Sequence, residues 1–207
     1  MNPVNVITHP LVQHHLTRLR DKRTEPQEFR RVMNEVTSLM VYEATRSLRS
    51  RQLEVETPLE TTTGSRLELD VILVPILRAG LGMLGSVLEM VPNCRVGFVG
   101  VKRDETTLQP KCYHQSLPPN LANFEILLID PMLATGGSAV AALDLLVEEG
   151  ARQIRLVNLL ATHDGIDRVQ KHHPGVRIYT AAIDRQLNPS GFILPGLGDA
   201  GDRLFGT

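Results

Sequence analysis

The sequence has few aromatic residues, few cysteines and almost no net charge. Its 207 residues include five phenylalanines, three tyrosines and no tryptophan, and 22 lysines and arginines nearly balance 23 aspartates and glutamates. Cys94 and Cys112 are too few for a disulfide framework or a four-thiolate zinc site, which favours a reducing compartment. A net charge of −1 argues against the broad basic field that holds long nucleic acids.

Long apolar segments are also missing. The apolar run 71–77 contains Pro75 and is far shorter than the roughly 20 residues that a membrane-spanning helix needs. The N-terminus lacks the basic and then apolar pattern of a secretory signal. We therefore expect a cytoplasmic protein with no membrane partner, and the even composition predicts one domain over residues 1–207.

The second part of the chain alternates short apolar runs with helical stretches. Runs without polar alternation predict strands that are buried on both faces, and their alternation with helices predicts βαβ units in a parallel sheet. The predicted strands are 71–77, 96–101, 126–129, 154–160 and 176–182, and the predicted helices are 81–90, 137–149 and 166–172. The polar stretch 103–120, which contains three prolines, is interpreted as a mobile lid or β-arm over a site.

The first part of the chain is interpreted as helical with one hairpin. A short helix is expected at 11–20, and apolar residues at helical spacing over 29–44 predict a longer one. Thr24 and Gln27 are interpreted as the capping box of that longer helix. Alternating residues from Leu53 onward predict a hairpin with its break at Gly64-Ser65.

Residues 125–138, EILLIDPMLATGGS, form the strongest local motif. An apolar strand ends at Asp130, and a loop of small residues over 134–138 opens a helix. Ligands of open α/β sheets bind where strands end, and glycine amides at a helix N-terminus suit a phosphate. Asp130 is placed to bond sugar hydroxyls or metal-bound water. The alternative is an ordinary glycine-rich turn in which Thr135 or Ser138 only caps the helix.

Two further segments carry similar signals. Arg78 directly follows a buried strand beside glycines, where its guanidinium suits a pair of pyrophosphate oxygens. The alternative is a structural arginine that pairs with a carboxylate or a helix end. Residues 195–207 contain four glycines and two aspartates, for which a disordered tail is the default. However, the tail also contains Leu197, Leu204 and Phe205, which a solvated tail does not need.

The sequence closely resembles the uracil phosphoribosyltransferases over essentially its whole length. The motifs that carry the resemblance are PILRAGLGM (75–83), IDPMLATGGS (129–138) and FILPGLGDAGDRLFGT (192–207). The resemblance implies the α/β type I phosphoribosyltransferase fold: a central parallel sheet flanked by helices, with a β-arm, an N-terminal helical portion and a C-terminal hood. It also implies a pyrimidine-salvage reaction in which uracil and 5-phospho-α-D-ribose 1-diphosphate (PRPP) give UMP and diphosphate.

The resemblance implies roles for individual residues. The residues implied as catalytic are Arg78, Arg103 and Asp199, with the two arginines on the diphosphate. The PRPP site is expected to contain Arg78, Arg103, Asp130, Pro131, Met132, Leu133, Ala134, Thr135, Gly136, Gly137, Ser138 and Asp199. The uracil site is expected to contain Ile193, Gly198, Asp199 and Ala200, which read the base through main-chain groups.

The resemblance also implies a cofactor and partners. Mg²⁺ is expected to be held mainly by PRPP, because Pro131 stands where phosphoribosyltransferases at large carry a second acidic residue. Direct protein ligation of the metal is not predicted. A GTP effector and a homodimer or larger homo-oligomer are further expectations. Two alternatives stay open: a regulator of the same fold that binds RNA, which the net charge disfavours, and a sister transferase for another base such as a purine.

Overall fold

The computed structural model describes residues 4–91, 93–103 and 110–207, and of Arg103 it describes the backbone alone. The elements up to residue 103 are β1 (Val4–Val6), α1 (Pro10–Arg20), α2 (Pro26–Thr45), β2 (Ser50–Glu56), β3 (Thr61–Leu67), β4 (Asp70–Leu77), α3 (Leu81–Met90), β5 (Arg95–Val96) and β6 (Phe98–Arg103). The elements after residue 109 are β7 (Pro110–Ser116), a 3₁₀ turn (Leu121–Asn123), β8 (Phe124–Ile129), β9 (Met132–Leu133), α4 (Gly137–Glu148), β10 (Gln153–Thr162), α5 (His163–His172), β11 (Arg177–Asp184), β12 (Gln186–Leu187), β13 (Ile193–Leu194) and α6 (Ala200–Phe205).

The main sheet confirms the predicted central parallel sheet, with one antiparallel pairing at its edge. Its strand order is β1-β11-β10-β8-β4-β6-β7, with β5 and β9 paired to β4 and β10. Every pairing along that order is parallel except that of β6 with β7. All six residues of β8 are buried, as its lack of polar alternation predicts for a central strand.

Two apolar clusters cover the two faces of the sheet. Neighbouring residues of β8 point to opposite faces, so Leu127 packs with α1, α2 and α3 while Leu128 packs with α4 and α5. Full burial of such side chains stabilises the fold by about 1.5–3 kcal/mol each. The two layers therefore hold the central strands rigidly, and the loops at the strand ends rest on a fixed frame.

The capping box predicted at Thr24 is wrong. Helix α2 begins at Pro26, its N-cap residue is Glu25, and the Glu25 side chain makes no capping hydrogen bond. The Thr24 hydroxyl instead donates to the carbonyl oxygen of Arg18 at 2.6 Å. The hydroxyl therefore binds a free carbonyl oxygen at the C-terminus of α1. Thr24 lies only four residues beyond that helix, so this bond competes with capping of α2.

The hairpin is confirmed, but its predicted break is wrong. The turn lies between Glu56 and Thr61, where the Thr57 hydroxyl accepts the amides of Leu59 and Glu60 at 3.2 and 3.1 Å. Gly64 lies inside β3, where a Cβ would approach Val55 Cγ2 to 2.7 Å. The glycine therefore makes room for a cross-strand neighbour and does not mark a turn.

The stretch interpreted as an arm is described in part. Strands β6 and β7 form an antiparallel ladder that extends the sheet at one edge, as expected for a β-arm. Residues 104–109 and the side chain of Arg103 lie outside the described part, so the lid function stays a prediction. Among the described residues, no helix is both long and apolar enough to cross a membrane.

Candidate active site

The ends of β4 and β8 bring two of the predicted segments together. The two strands are parallel neighbours, with Pro75 opposite Ile129, so their carboxyl ends lie at one edge of the sheet. The turn after β4 is pressed against the end of β8, because a Cβ at Gly80 would lie 2.7 Å from the Ile129 carbonyl oxygen. Arg78, which is exposed in this turn, therefore lies next to the segment that begins at Asp130.

Hydrogen bonds from β10 fix the backbone of the segment 130–138. The Asn158 side-chain amide donates to the Asp130 carbonyl oxygen at 2.6 Å. The Pro131 carbonyl oxygen accepts two β10 amides at 3.0 Å each, and the Thr162 hydroxyl donates to the Ala134 carbonyl oxygen at 2.6 Å. Residues 130–134 are thus held against β10 in a defined conformation.

The start of α4 favours the phosphate interpretation over a simple capped turn. The N-cap residue is Gly136, which has a φ of +74° and no side chain that could accept the free amides. The nearest hydroxyl, Thr135 Oγ1, accepts only the Gly137 amide, at a long 3.4 Å. The first turn of α4 therefore has amides without intrahelical partners, and these amides and the helix dipole suit an anion.

Asp130 has an unusual protonation equilibrium. Burial raises the pKa of this half-buried carboxyl to about 7, and a hydrogen bond from the Met132 amide lowers it by a smaller amount. A carboxyl with this pKa changes its charge near neutral pH, so a bound cation or a sugar hydroxyl shifts its protonation state.

The single carboxylate of Asp130 suits a metal ion that is carried mainly by a bound phosphate substrate. Among the described residues, no three histidine, cysteine, aspartate or glutamate side chains come together as a metal site. The segment 130–138 offers one carboxylate, because Pro131 follows Asp130. Mg²⁺ commonly keeps several waters and binds through one or two carboxylates plus substrate phosphates, so one carboxylate here fits contact through metal-bound water.

The pKa of Asp130 predicts a pH-dependent effect of Asp130→Asn on stability. The folded pKa of about 7 exceeds the ordinary value of 3.8, so between these pH values the folded protein holds a proton that the unfolded chain has released. The free energy of unfolding of the native protein should therefore fall as pH rises from about 4 to 7. Asn has no such proton, so Asp130→Asn should become more stable than the native protein by about 1–4 kcal/mol at pH 8.

Thermal unfolding at pH 4, 6 and 8 measures this difference. The melting temperatures of the two proteins should differ least at pH 4, and the gap should level off above pH 7. A gap that does not change with pH would show that the carboxyl titrates normally in the fold.

The C-terminal segment 193–207 is ordered, contrary to the default of a disordered tail. Strand β13 pairs with β12, and the Gly196 amide donates to Asp184 Oδ2 at 2.9 Å. Asp184 is buried and forms a two-point ion pair with Arg20, at 2.8 and 2.7 Å. Arg20 also donates to the Gly196 carbonyl oxygen at 2.8 Å. Both backbone groups of Gly196 are thus fixed by one ion pair.

Arg203 holds the same segment to the N-terminal helices. Its guanidinium donates to the carbonyl oxygens of Leu197 and Asp21 at 2.8 and 2.7 Å and also to that of Leu19. The guanidinium lies 4.3 Å from the centre of the Phe29 ring. Burial lowers the pKa of Arg203, whose positive charge is compensated mainly by carbonyl oxygens. Residues 197–203 are therefore fixed from several sides.

Helix α6 connects the C-terminal segment 193–207 to the turn that contains Arg78. A Cβ at Gly82, in the first turn of α3, would lie 2.6 Å from Leu204 Cδ1, so α6 packs on the helix that follows Arg78. Asp199 is exposed and caps α6, with its Oδ1 accepting the Asp202 amide at 3.0 Å. Of the other residues predicted for uracil, Gly198 is exposed, while Ile193 and Ala200 are buried.

The structure thus places the three predicted segments around one edge of the sheet. Sequence reasoning did not give Arg20, Asp184 or Arg203 a positioning function. The sequence contains one indication for Asp184: it is the last residue of a buried strand, and Asp130 directly follows another buried strand. The two arginines lie in helices and gave no such signal. The predicted residue Arg103 ends β6, and its side chain lies outside the described part of the chain.

The comparison with known proteins decides the family. A family model described as uracil phosphoribosyltransferase matches residues 6–207. The chain belongs to the uracil phosphoribosyltransferase family. A uracil phosphoribosyltransferase of Clostridium kluyveri is 52% identical over 208 residues, with 100% of both chains covered.

Solved structures share the fold of this chain. The AQ2163 protein from Aquifex aeolicus is 35% identical, with 98% of each chain covered, and superposes with a TM-score of 0.93. An adenine phosphoribosyl transferase from Trypanosoma brucei is 14% identical, with 84% of this chain and 79% of its own covered, and has a TM-score of 0.57. The second likeness shows the fold alone, and it confirms the predicted phosphoribosyltransferase architecture.

Proposed function

We propose that this member of the uracil phosphoribosyltransferase family transfers the phosphoribosyl group of PRPP to N1 of uracil, which gives UMP and diphosphate. The observation that carries the proposal is that three segments lie at the carboxyl ends of parallel strands: the turn at Arg78 after β4, the loop 130–138 after β8, and the tail 193–200, whose Gly196 amide donates to Asp184 at the end of β11. One segment suits a diphosphate, one a sugar phosphate and one a small base.

The loop 130–138 is proposed to bind the ribose 5-phosphate part of PRPP. The open N-terminus of α4 supplies amides for the 5′-phosphate, with the hydroxyls of Thr135 and Ser138 beside them. Asp130 is proposed to accept the ribose hydroxyls. The remaining loop residues, Pro131 to Ala134, hold the turn between these two contacts through the bonds to β10.

Arg78 and Arg103 are proposed to bind the diphosphate. Arg78 is exposed and forms no ion pair with any described carboxylate, so its guanidinium is free for an anion. A guanidinium matches two phosphate oxygens at once. Arg103 ends β6, the strand that leads into the predicted arm, and its proposed contact with the diphosphate rests on the family resemblance.

Uracil is proposed to bind the tail between Ile193 and Ala200. A planar base with alternating carbonyl and N–H groups can be read by fixed main-chain donors and acceptors, and the ion pair of Arg20 and Asp184 fixes this main chain at Gly196. A site of this kind suits a chain with five phenylalanines, three tyrosines and no tryptophan.

The proposed reaction breaks the C1′–O bond of PRPP and forms the bond from C1′ to uracil N1, while the N1 proton is lost. Negative charge grows on the leaving diphosphate, and Arg78 is placed to stabilise it. Phosphoribosyltransferases of this kind generally use Mg²⁺ with PRPP, and an ion bound to PRPP would neutralise part of the diphosphate charge. Asp199 is exposed beside the base segment and is the proposed acceptor of the N1 proton.

A panel of bases tests the proposed reaction against the sister-transferase alternative. Each of uracil, cytosine, orotate, hypoxanthine and adenine is incubated with PRPP and Mg²⁺, and nucleotide formation is followed by chromatography. We expect kcat/KM for uracil to exceed that for every other base by about 100-fold or more, because fixed main-chain groups left unpaired by a wrong base are costly. A purine used as well as uracil would overturn the base assignment.

The proposal includes a homo-oligomer, GTP activation and a cytoplasmic location. The hairpin of β2 and β3 supports the first, because most of its residues are exposed and Leu59 at its turn is 96% exposed. The two free cysteines support a reducing cytoplasm. GTP activation rests on the family resemblance alone and predicts a higher rate of UMP formation when GTP is added.

A further inference from the structure

Arg168, an arginine outside the predicted site, lies along the loop 130–138. It belongs to α5 and is half-buried. A Cβ at Gly136 would lie 3.2 Å from Arg168 Cβ, and a Cβ at Gly137 would lie 3.8 Å from Arg168 Nη1. The Arg168 side chain therefore runs alongside Gly136 and Gly137, and its guanidinium lies beside the first residue of α4.

The position of Arg168 is fixed by the packing of α5 on the loop. The hydroxyl of Thr162 donates to the Ala134 carbonyl oxygen at 2.6 Å and accepts the Gly165 amide at 3.0 Å, so one side chain joins the loop to the start of α5. A Cβ at Gly165 would lie 2.5 Å from the Ala134 oxygen. Arg168 follows Gly165 by three positions, which places both on the face of α5 that contacts the loop.

The surroundings of the guanidinium favour an anion as its partner. Asp164 precedes Arg168 by four positions, an arrangement that commonly gives an ion pair on a helix. However, Arg168 forms no ion pair with this or any other described residue. A cation beside a helix N-terminus is repelled by the helix dipole, and an anion between the two is attracted by both.

We propose that Arg168 binds the 5′-phosphate of PRPP and of the UMP product from α5. This assignment rests on the proposed function, in which α4 accepts that phosphate. The segment 130–138 contains no lysine or arginine, so Arg168 gives the 5′-phosphate a full positive charge that the loop lacks. The 5′-phosphate does not react, so Arg168 contributes to binding of the donor and leaves the chemical step largely unchanged.

Binding of two probes to Arg168→Gln tests the assignment. Ribose 5-phosphate contains the 5′-phosphate, and inorganic diphosphate represents the leaving group. We expect calorimetry to show an affinity for ribose 5-phosphate about tenfold lower than in the native protein, with an unchanged affinity for diphosphate. In the assay with uracil, KM for PRPP should rise about tenfold while kcat stays within about twofold.

Two further variants serve as controls. Arg168→Lys keeps the charge and the aliphatic stem but not the two-point geometry, so it should recover part of the lost affinity. Arg152→Gln removes one positive charge from an exposed arginine between α4 and β10, at the opposite end of α4, and should leave both probe affinities unchanged. If Arg168→Gln does not fold, the affinities of Arg168→Lys are measured instead. We then expect the affinity for ribose 5-phosphate to fall about two- to fourfold and the affinity for diphosphate to stay unchanged.

Several results would overturn the assignment. Unchanged affinity for ribose 5-phosphate, or equal weakening of ribose 5-phosphate and diphosphate, would show that Arg168 does not bind the 5′-phosphate. Failure of the native protein to make UMP would instead contradict the proposed function. In that case, a selective loss of ribose 5-phosphate affinity in Arg168→Gln would still support the phosphate contact.

Discussion

Replacing Arg78 with alanine is expected to lower kcat/KM for PRPP by about 100- to 1,000-fold. The exposed guanidinium follows β4 directly, in a turn packed against the end of β8. No described carboxylate forms an ion pair with it, so its removal leaves no buried partner uncompensated and should change the free energy of unfolding by less than about 0.5 kcal/mol. The loss should therefore appear in catalysis and not in stability.

Steady-state kinetics and thermal unfolding of the same preparation separate these effects. Lysine at position 78 should recover part of the activity, because it restores the charge without the planar fork. Arg95→Ala is a matched control, since Arg95 is exposed at the start of β5 and lies over the ring of Phe124 at the other end of the sheet. Activity of Arg78→Ala within about threefold of the native value would mean that Arg78 does not contact the diphosphate.

Replacing Gly196 with alanine is expected to have the second large effect. A Cβ at this position would lie 2.1 Å from the Ile193 carbonyl oxygen, and the backbone φ of +64° is unfavourable for a side chain. The backbone cannot move freely, because Asp184 accepts the Gly196 amide and Arg20 donates to its carbonyl oxygen. We expect a loss of about 2–4 kcal/mol in the free energy of unfolding.

The same substitution should affect uracil more than PRPP. Displacement of the main chain between 193 and 198 moves the groups proposed to read the base, so KM for uracil should rise by at least about tenfold. Gly175→Ala is the matched control, because a Cβ there would have no neighbour within 4 Å. If KM for uracil and KM for PRPP rose together, the segment would not be specific to the base.

The layered fold was predictable because its signals are local. Buried strands such as β4 and β8 lack polar alternation, and this pattern arises wherever helices cover both faces of a sheet. The loop 130–138 was also predictable, since a small-residue turn between a strand and a helix has a recognisable composition. The hydrogen bonds of hydroxyl groups were less predictable. Thr24 lies between the end of α1 and the start of α2, and only the three-dimensional structure shows that its hydroxyl donates to the carbonyl oxygen of Arg18.

The contacts that fix the site could not be predicted from the residues alone. Arg20 and Asp184 are 164 positions apart, and the pair forms because α1 packs beside the end of β11. Arg168 is one of several polar residues on α5, and its contact with the loop depends on Gly165, which lets α5 approach the Ala134 carbonyl oxygen closely. Both features depend on how helices pack on the sheet, which no short pattern in the sequence encodes.

A crystal structure of the protein with bound UMP tests the proposed site most directly. We predict the 5′-phosphate at the amides of 136–138 with Arg168 beside it, the ribose hydroxyls at Asp130, and the uracil ring on the main chain of 193–200. A second place where a nucleotide could bind is the cavity of about 750 Å³ beside β1, which Arg46 and Arg177 line. A nucleotide bound there, or with its base away from 193–200 or its phosphate away from the start of α4, would contradict the proposed site.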